Sequence, residues 1–363
     1  MKLLNAFSGL PGRLLLGSAA TLSLLACDPS TDPKPTEQPI VTRSVFVVNE
    51  GNFLRSNADI SLFSKASSAV TGKSLFSTAN GRTLGDVAQS MAVQDSLGYI
   101  VVNNSNKLEV VSLAKFRSKA TVTGLKLPRY FAAASAGKGY VTETVSYSGS
   151  NGRVSVIDLK TNTVTKTIDV GVQPERLLVA GSRLYVTNSG GNTVTVINTA
   201  TDAVEGAITV GDSPNSLAQD ANGNVWVLSG GKVYYNADYS TDYTRTTKGS
   251  LSMIVPGQLT AITREVASNR STPNRLTING AKNQLYFTYL GGVYTLGTGD
   301  ATLPATPLIK RSFYGLGVDP QDGTIYGGIG SFTAADKVIR YRTNGTAIDS
   351  FTVGIGPNGF VFY

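Results

Sequence analysis

The chain has 363 residues, 32 Lys and Arg against 24 Asp and Glu for a formal charge of +8, with 41% apolar residues, 15% charged residues and 39 Gly. This composition excludes a disordered chain, which needs low hydrophobicity, and a coiled coil, which needs long periodic runs rich in Glu, Lys and Ala. It contains no His and a single Cys, Cys27. Ser–His and Cys–His catalytic pairs, imidazole zinc sites, Cys metal clusters and intrachain disulfides are therefore excluded.

The N-terminus reads as an address. Lys2 and Arg13 flank a basic start, and the stretch from Leu14 to Leu25 is apolar but short and interrupted by Gly and Ser. It ends in Leu24-Leu25-Ala26-Cys27, which resembles the bacterial lipoprotein signal. On this reading residues 1–26 are removed and Cys27 carries the lipid. Residues 27–43 hold four prolines and few apolar residues, an extended tether between a membrane surface and a domain. No run of Lys or Arg offers a nucleic-acid stripe, so the positive charge is diffuse and no nucleic-acid partner is expected.

Residues 44–363 repeat. A Pro-x-x-apolar signature opens at Pro128, Pro174, Pro214, Pro273 and Pro357, with degenerate copies at Ala88 and Phe313. Successive copies lie 40, 46, 40, 59, 40 and 44 residues apart. The unit starting near Leu177 shows four strands: A at Leu177-Leu178-Val179, B at Arg183 to Asn188, C at Thr193 to Asn198 and D at Val204 to Val210. Alternating apolar residues between Gly, Asn and Asp turns give each strand, and four strands in 40 to 45 residues is the period of a propeller blade. Ser44 to Val48 is a B strand with no A strand before it, and Pro357 to Tyr363 is an A strand with nothing after it. Together they complete one blade, so the sequence predicts an all-β, seven-bladed β-propeller closed by both termini.

Leu184-Tyr185-Val186-Thr187-Asn188, followed by Asn192 to Ile197, resembles the YVTN propeller repeat of YncE-like proteins. Val48-Asn49-Glu50-Gly51-Asn52, Leu84-Gly85-Asp86-Val87 and Asn103 to Val110 resemble, in order and position, the surface-lipoprotein propellers of Bacteroidetes. One branch of these, BtuG, captures cobalamin beside an outer-membrane transporter. The resemblance implies an outer-membrane lipoprotein at the cell surface; a corrinoid ligand and a TonB-dependent transporter are the partners that its BtuG branch would imply. A surface adhesion propeller contacting glycan or protein is the alternative reading, and a His-free lyase or lactonase is the least favoured.

The blade expansions locate a binding face. They fall between Val141 and Val154, between Leu228 and Leu251 and between Tyr326 and Val338, all B–C connections, while C–D turns such as Leu159 to Thr163 stay short. Extra loop length on a ring gathers on its binding face. The residues just after each signature should face the channel mouth there: Gln89, Arg129, Tyr130, Glu175, Arg176, Asn215, Asn274, Arg275, Tyr314 and Asn358. The arginines suit an anionic group and the amides suit a ligand bearing amides. The long loop adds Tyr239 and Tyr243 as candidate contacts, beside Tyr234, Tyr235 and Arg245; the less favoured alternative puts Tyr234 and Tyr235 in a strand, with the rest covering the blade edge. Glu50, Glu143 and Glu175 come from different blades without a paired motif, so a non-catalytic binder without metal or cofactor is expected. Asp220 to Asn224 and Asp319 to Gly323 look superficially like calcium loops but lie between strands A and B, where hairpin turns are expected.

Overall fold

The alternation of β-branched and turn residues folds as short antiparallel strands. The structure, a computed structural model, describes residues 43–363; the signal segment, Cys27 and the tether up to residue 42 lie outside the described residues. The strands form seven sheets in a ring. In the fourth blade strands A to D are Pro174–Ala180, Arg183–Asn188, Thr193–Asn198 and Ala203–Thr209, so B and C fall where the alternation places them.

Alternation here separates two neighbours rather than core from solvent. Leu184, Val186 and Ile197 pack against Tyr140, Val154 and Val156 of blade three. Tyr185, Val194 and Val196, from the other face of the same sheet, pack against Val225, Val227 and Ile254 of blade five. Each blade thus has two buried faces, and its B and C strands are almost wholly buried. The ring closes as the chain ends require. Strand Pro357–Phe362 pairs antiparallel with Ser44–Asn49, with Val45 opposite Phe362 and Val47 opposite Phe360. Arg43 N and Ser44 N both donate to the Tyr363 carbonyl, at 2.7 and 2.8 Å.

Blade six departs from the expected four strands. Its sheet has three, Asn274–Ile278, Gln284–Tyr289 and Gly292–Gly297. Residues 298–314 cover its outer edge through a single bridge, Val293 to Ile309. Pro304 and Pro307 fall in this segment and cannot donate to a ladder. A six-residue helix, Leu75–Asn80, interrupts the connection from blade one to blade two, and the Asp59 carboxylate accepts from its Phe76 and Ser77 N–H groups. Among the described residues no helix is long and apolar enough to cross a membrane.

Candidate functional site

The repeated signature has a structural meaning that sets the site. The residue before it adopts a left-handed backbone in five blades: Val87, Leu127, Gln173, Ser213 and Gly356 have φ of 62, 48, 50, 54 and 65°. This turns the D–A corner and presents that residue's carbonyl to the start of the B–C loop. Asn103 N, Thr144 N, Ser189 N, Gly230 N and Glu50 N donate to these five carbonyls in the same order. The ladder then slips. In six blades the A–B register shifts within the first residues of strand A. A bulge leaves residues unpaired and re-aims their side chains. The residues displaced by the slip are Gln89, Arg129, Tyr130, Glu175, Arg176, Asn215, Arg275, Leu276 and Asn358.

All the expected mouth residues except Asn358 line one cavity of about 340 Å3. Glu50, Thr144, Tyr147, Gln173 and Ser189 complete its wall. Below it lies a central-channel cavity of about 390 Å3, with Met91, Phe131, Leu177, Leu276 and Phe360 in its lining. Gln89, Tyr130, Arg176 and Arg275 line both cavities and so form the throat between them.

The polar groups of the mouth divide into two sets. The first is internally paired. Arg129 grips Glu175 bidentately, Nε to Oε2 at 2.7 Å and Nη2 to Oε1 at 2.8 Å, and donates through Nη1 to Gln89 Oε1 at 2.6 Å. Burial works against the guanidinium charge, but Glu175 outweighs it and raises the Arg129 pKa further above its already high value. Gln89 Nε2 donates to the Tyr130 hydroxyl at 3.1 Å. The Tyr314 hydroxyl donates to Glu50 Oε2, and burial followed by this carboxylate pushes the phenol well above its ordinary range. Asn358 lies deeper, lining the channel, and its Nδ2 reaches Glu50 Oε2 and the carbonyls of Ala88 and Gln89. Asn215 Nδ2 donates across to the Pro273 carbonyl at 3.0 Å. The amides of Asn215 and Asn358 thus clamp neighbouring blades through their N–H groups instead of presenting them to the mouth.

The second set is two arginines. The Arg176 guanidinium lies 3.9 Å above the Tyr130 ring, and that of Arg275 lies 5.1 Å from the Tyr314 ring. Neither faces a carboxylate within ion-pair distance among the described residues, and Arg176 Nε is buried without an acceptor. Arg275 also has a φ of 61°, a left-handed conformation that a long side chain seldom adopts.

Tyr239 and Tyr243 do not reach the mouth cavity. They stand on a loop, residues 230–249, fixed by Arg245 to Asp242 at 2.7 Å and by Asn269 Nδ2 to the carbonyls of Tyr243 and Thr246. Tyr234 and Tyr235 join no strand, although Tyr235 makes one bridge to Thr241. Among the described residues the same face holds every Phe and Tyr with an exposed ring: Phe53, Tyr147, Tyr235, Tyr239 and Tyr243 are all on B–C loops. Sequence intervals measured from residue 88 onward missed the first of these loops, residues 50–58. It borders a groove of about 570 Å3 running from Phe53 and Arg55 past Gln89 and Arg129 to Tyr147. The motif residues of blades one and two hold that wall: Leu54 N donates to Asp86 at 3.0 Å, and Asn52 Nδ2 donates to the Phe332 carbonyl at 2.7 Å. Asp220 accepts from Asn222 N, Asn224 N and the Trp226 indole, each at 2.9 Å, and is an ordinary hairpin organiser. No group of three His, Cys, Asp or Glu among the described residues is placed to hold a metal ion.

Fold and mouth together define a seven-bladed propeller with a polar funnel built from its A-strand bulges. The chain belongs to the family described as domain of unknown function DUF5074, whose model matches residues 43–358. Among solved structures it is similar to a quinoprotein alcohol dehydrogenase-like protein of Bacteroides thetaiotaomicron, at 14% identity over 88% of this chain and 78% of that one, with a TM-score of 0.64. It is also similar to a protein of Bacteroides uniformis provisionally named a 6-phosphogluconolactonase, at 12% identity over 88% and 99%, TM-score 0.65. A functionally unknown protein of Desulfotomaculum acetoxidans matches at 12% identity over 88% and 98%, TM-score 0.64. At these identities the likeness is one of fold. No curated protein matches the sequence.

Proposed function

We propose that the protein is a non-catalytic, lipid-anchored binding propeller that takes its ligand on the B–C and D–A face. One observation carries this reading: six blades bulge at the start of strand A, and the displaced side chains of five of them converge on one mouth on the face that holds the exposed aromatic rings of the described residues. Recognition surfaces combine rigid aromatic anchors with a few oriented polar groups in this way. The non-catalytic reading is supported by the two mouth carboxylates. Glu175 is held by Arg129 and Glu50 by Tyr314 and Asn358, so neither is a free general base. The provisional lactonase name of one structural relative carries no chemistry across at 12% identity.

The ligand we propose is a corrinoid, delivered to a TonB-dependent outer-membrane transporter. This rests on the resemblance of blades one and two, whose motif residues build one wall of the mouth. A molecule of that size would lie across the face against Phe53 and Tyr147, since the cavity itself holds only about 340 Å3. A second reading, contact with a glycan or protein, is favoured by Tyr239 and Tyr235, which are 88% and 59% exposed and stand away from the cavity. Titration of the full chain with cyanocobalamin separates the two. The corrinoid reading expects saturable binding that Tyr130→Ala weakens by ~2 kcal/mol, while Lys160→Ala and Thr201→Ala, on the opposite turns, leave it unchanged. No binding by the unmutated chain would shift the weight to the contact reading. Equal losses from both faces would show that the wrong side has been chosen.

A further inference from the structure

We infer that Arg176 and Arg275 form a receptor for one oxyanion at the throat of the ring, and that the ligand therefore carries a phosphate or carboxylate group. The inference rests on the mouth being the ligand site, but adds which atoms take the charged group.

Three observations carry it. First, the mouth separates its arginines. Arg129 has a carboxylate partner in bidentate geometry, while Arg176 and Arg275, on blades four and six, have none among the described residues. A cation held only by an aromatic ring in a part-buried cavity keeps its in-plane N–H groups free for an acceptor. Second, Arg176 Nε is buried and has no acceptor. Buried donors in folded proteins are almost always paired, and of the orphaned donors among the described residues, which include Arg153 Nε and Arg183 Nη1, that of Arg176 is the one whose residue lines the mouth cavity. Third, the two guanidinium groups are held in place. Tyr130 lies under Arg176 and is itself fixed by Gln89, and Tyr314 lies by Arg275 and is fixed by Glu50. Arg129 neutralises Glu175, whereas Glu50, held by the neutral Tyr314 and Asn358 donors, keeps its negative charge; the three arginines of the cavity outnumber its two carboxylates, Glu50 and Glu175, and leave it positive. The Tyr130 hydroxyl, which accepts from Gln89, has its own proton left to donate.

Planar guanidinium forks match phosphate and carboxylate oxygens better than they match halide or neutral amide groups. A lysine-lined mouth would attract the same charge without fixing its orientation. Two forks from separate blades, with a phenol beside one of them, suit an oxyanion with at least three acceptor oxygens better than a two-oxygen carboxylate.

The test uses the full chain and inorganic phosphate, with acetate as the carboxylate probe, titrated at low salt by calorimetry and by the shift in melting temperature. One phosphate should bind per chain and raise the melting temperature. Arg176→Gln and Arg275→Gln should each weaken phosphate at least ten-fold, and Lys160→Gln should change nothing. Acetate binding as tightly as phosphate would assign the site to carboxylate ligands. Arg176→Lys keeps the charge while losing the fork, and should also weaken binding, which covers the case in which Arg176→Gln folds poorly. No saturable phosphate or acetate binding, or binding unchanged in both Gln variants, overturns the proposal. Its failure is separable from that of the corrinoid reading. Phosphate binding without cyanocobalamin binding would leave the oxyanion site and remove the corrinoid. Cyanocobalamin bound equally by the wild type and the double Gln variant would do the reverse.

Discussion

Asn358→Ala separates a blade clamp from a ligand contact. The two N–H groups of Asn358 serve three acceptors: Glu50 Oε2 and the Ala88 carbonyl at 3.1 Å and the Gln89 carbonyl at 3.2 Å. Asn358 is 4% exposed and Ala88 fully buried, so water cannot replace the lost donors without opening the seam between blades one and two. A buried acceptor left without its donor costs ~1–3 kcal/mol. The change has an opposing part, because Asn358 Oδ1 is buried without a partner and alanine removes it. The balance is a loss of ~2 kcal/mol, which at an m-value of ~3 kcal/mol/M lowers the urea midpoint by ~0.7 M. Trp226, the only Trp and fully buried in blade five, reports unfolding by its fluorescence from the far side of the ring. An unchanged midpoint together with lost ligand binding would refute the clamp and return Asn358 to the ligand.

Removing residues 357–363 deletes the strand that pairs with Ser44–Asn49 and leaves an unpaired edge, so the truncated chain should aggregate or lose several kcal/mol. An unchanged melting temperature would overturn closure by the C-terminus. Glu109 is fully buried and bound by Arg82 at 2.6 Å and Lys107 at 2.8 Å. Burial pushes its carboxyl up, but hydrogen bonds from Lys107, Ser118 and Arg82 outweigh that and leave it below the usual range. Its contribution is therefore present above the unfolded value of ~4.3 and lost as pH falls through the folded one. Glu109→Gln should lower stability at pH 7 by ~2 kcal/mol, with the gap from wild type closing below pH ~4 in acid-unfolding curves; a gap that stays constant down to pH ~3 would contradict this. Cys27→Ser should release the protein from the membrane fraction, and a variant that stays membrane-bound removes the lipid anchor.

The blade count, the closing strand and the mouth level were legible because each follows from local chemistry. Pro marks the first residue of strand A, and the alternation from Leu184 to Thr187 fixes which neighbour each side chain meets. The fourth strand of blade six was not legible, because the 40-residue spacing persists while Pro304 and Pro307 remove the donors a strand needs. Residue type could not say which polar groups are free. Arg129 follows its proline by one residue and Arg176 by two, and neither spacing tells that Arg129 is paired with Glu175 from the next blade while Arg176 is not. Asn215 and Asn358 read as ligand amides, but their N–H groups reach backbone carbonyls of adjacent blades, contacts that span 58 and 270 residues. Tyr239 and Tyr243 were drawn to the site by composition, and only the path of loop 230–249 shows that they stand outside the cavity.

Amide hydrogen exchange of the full chain with and without cyanocobalamin tests the binding face most directly. The account predicts slowed exchange confined to loops 50–58 and 144–150 and to the strand-A starts near residues 88–91, 128–131, 174–177 and 274–277. Slowed exchange at the C–D turns, residues 159–163 and 199–202, with the mouth unaffected, or no change anywhere, would contradict it.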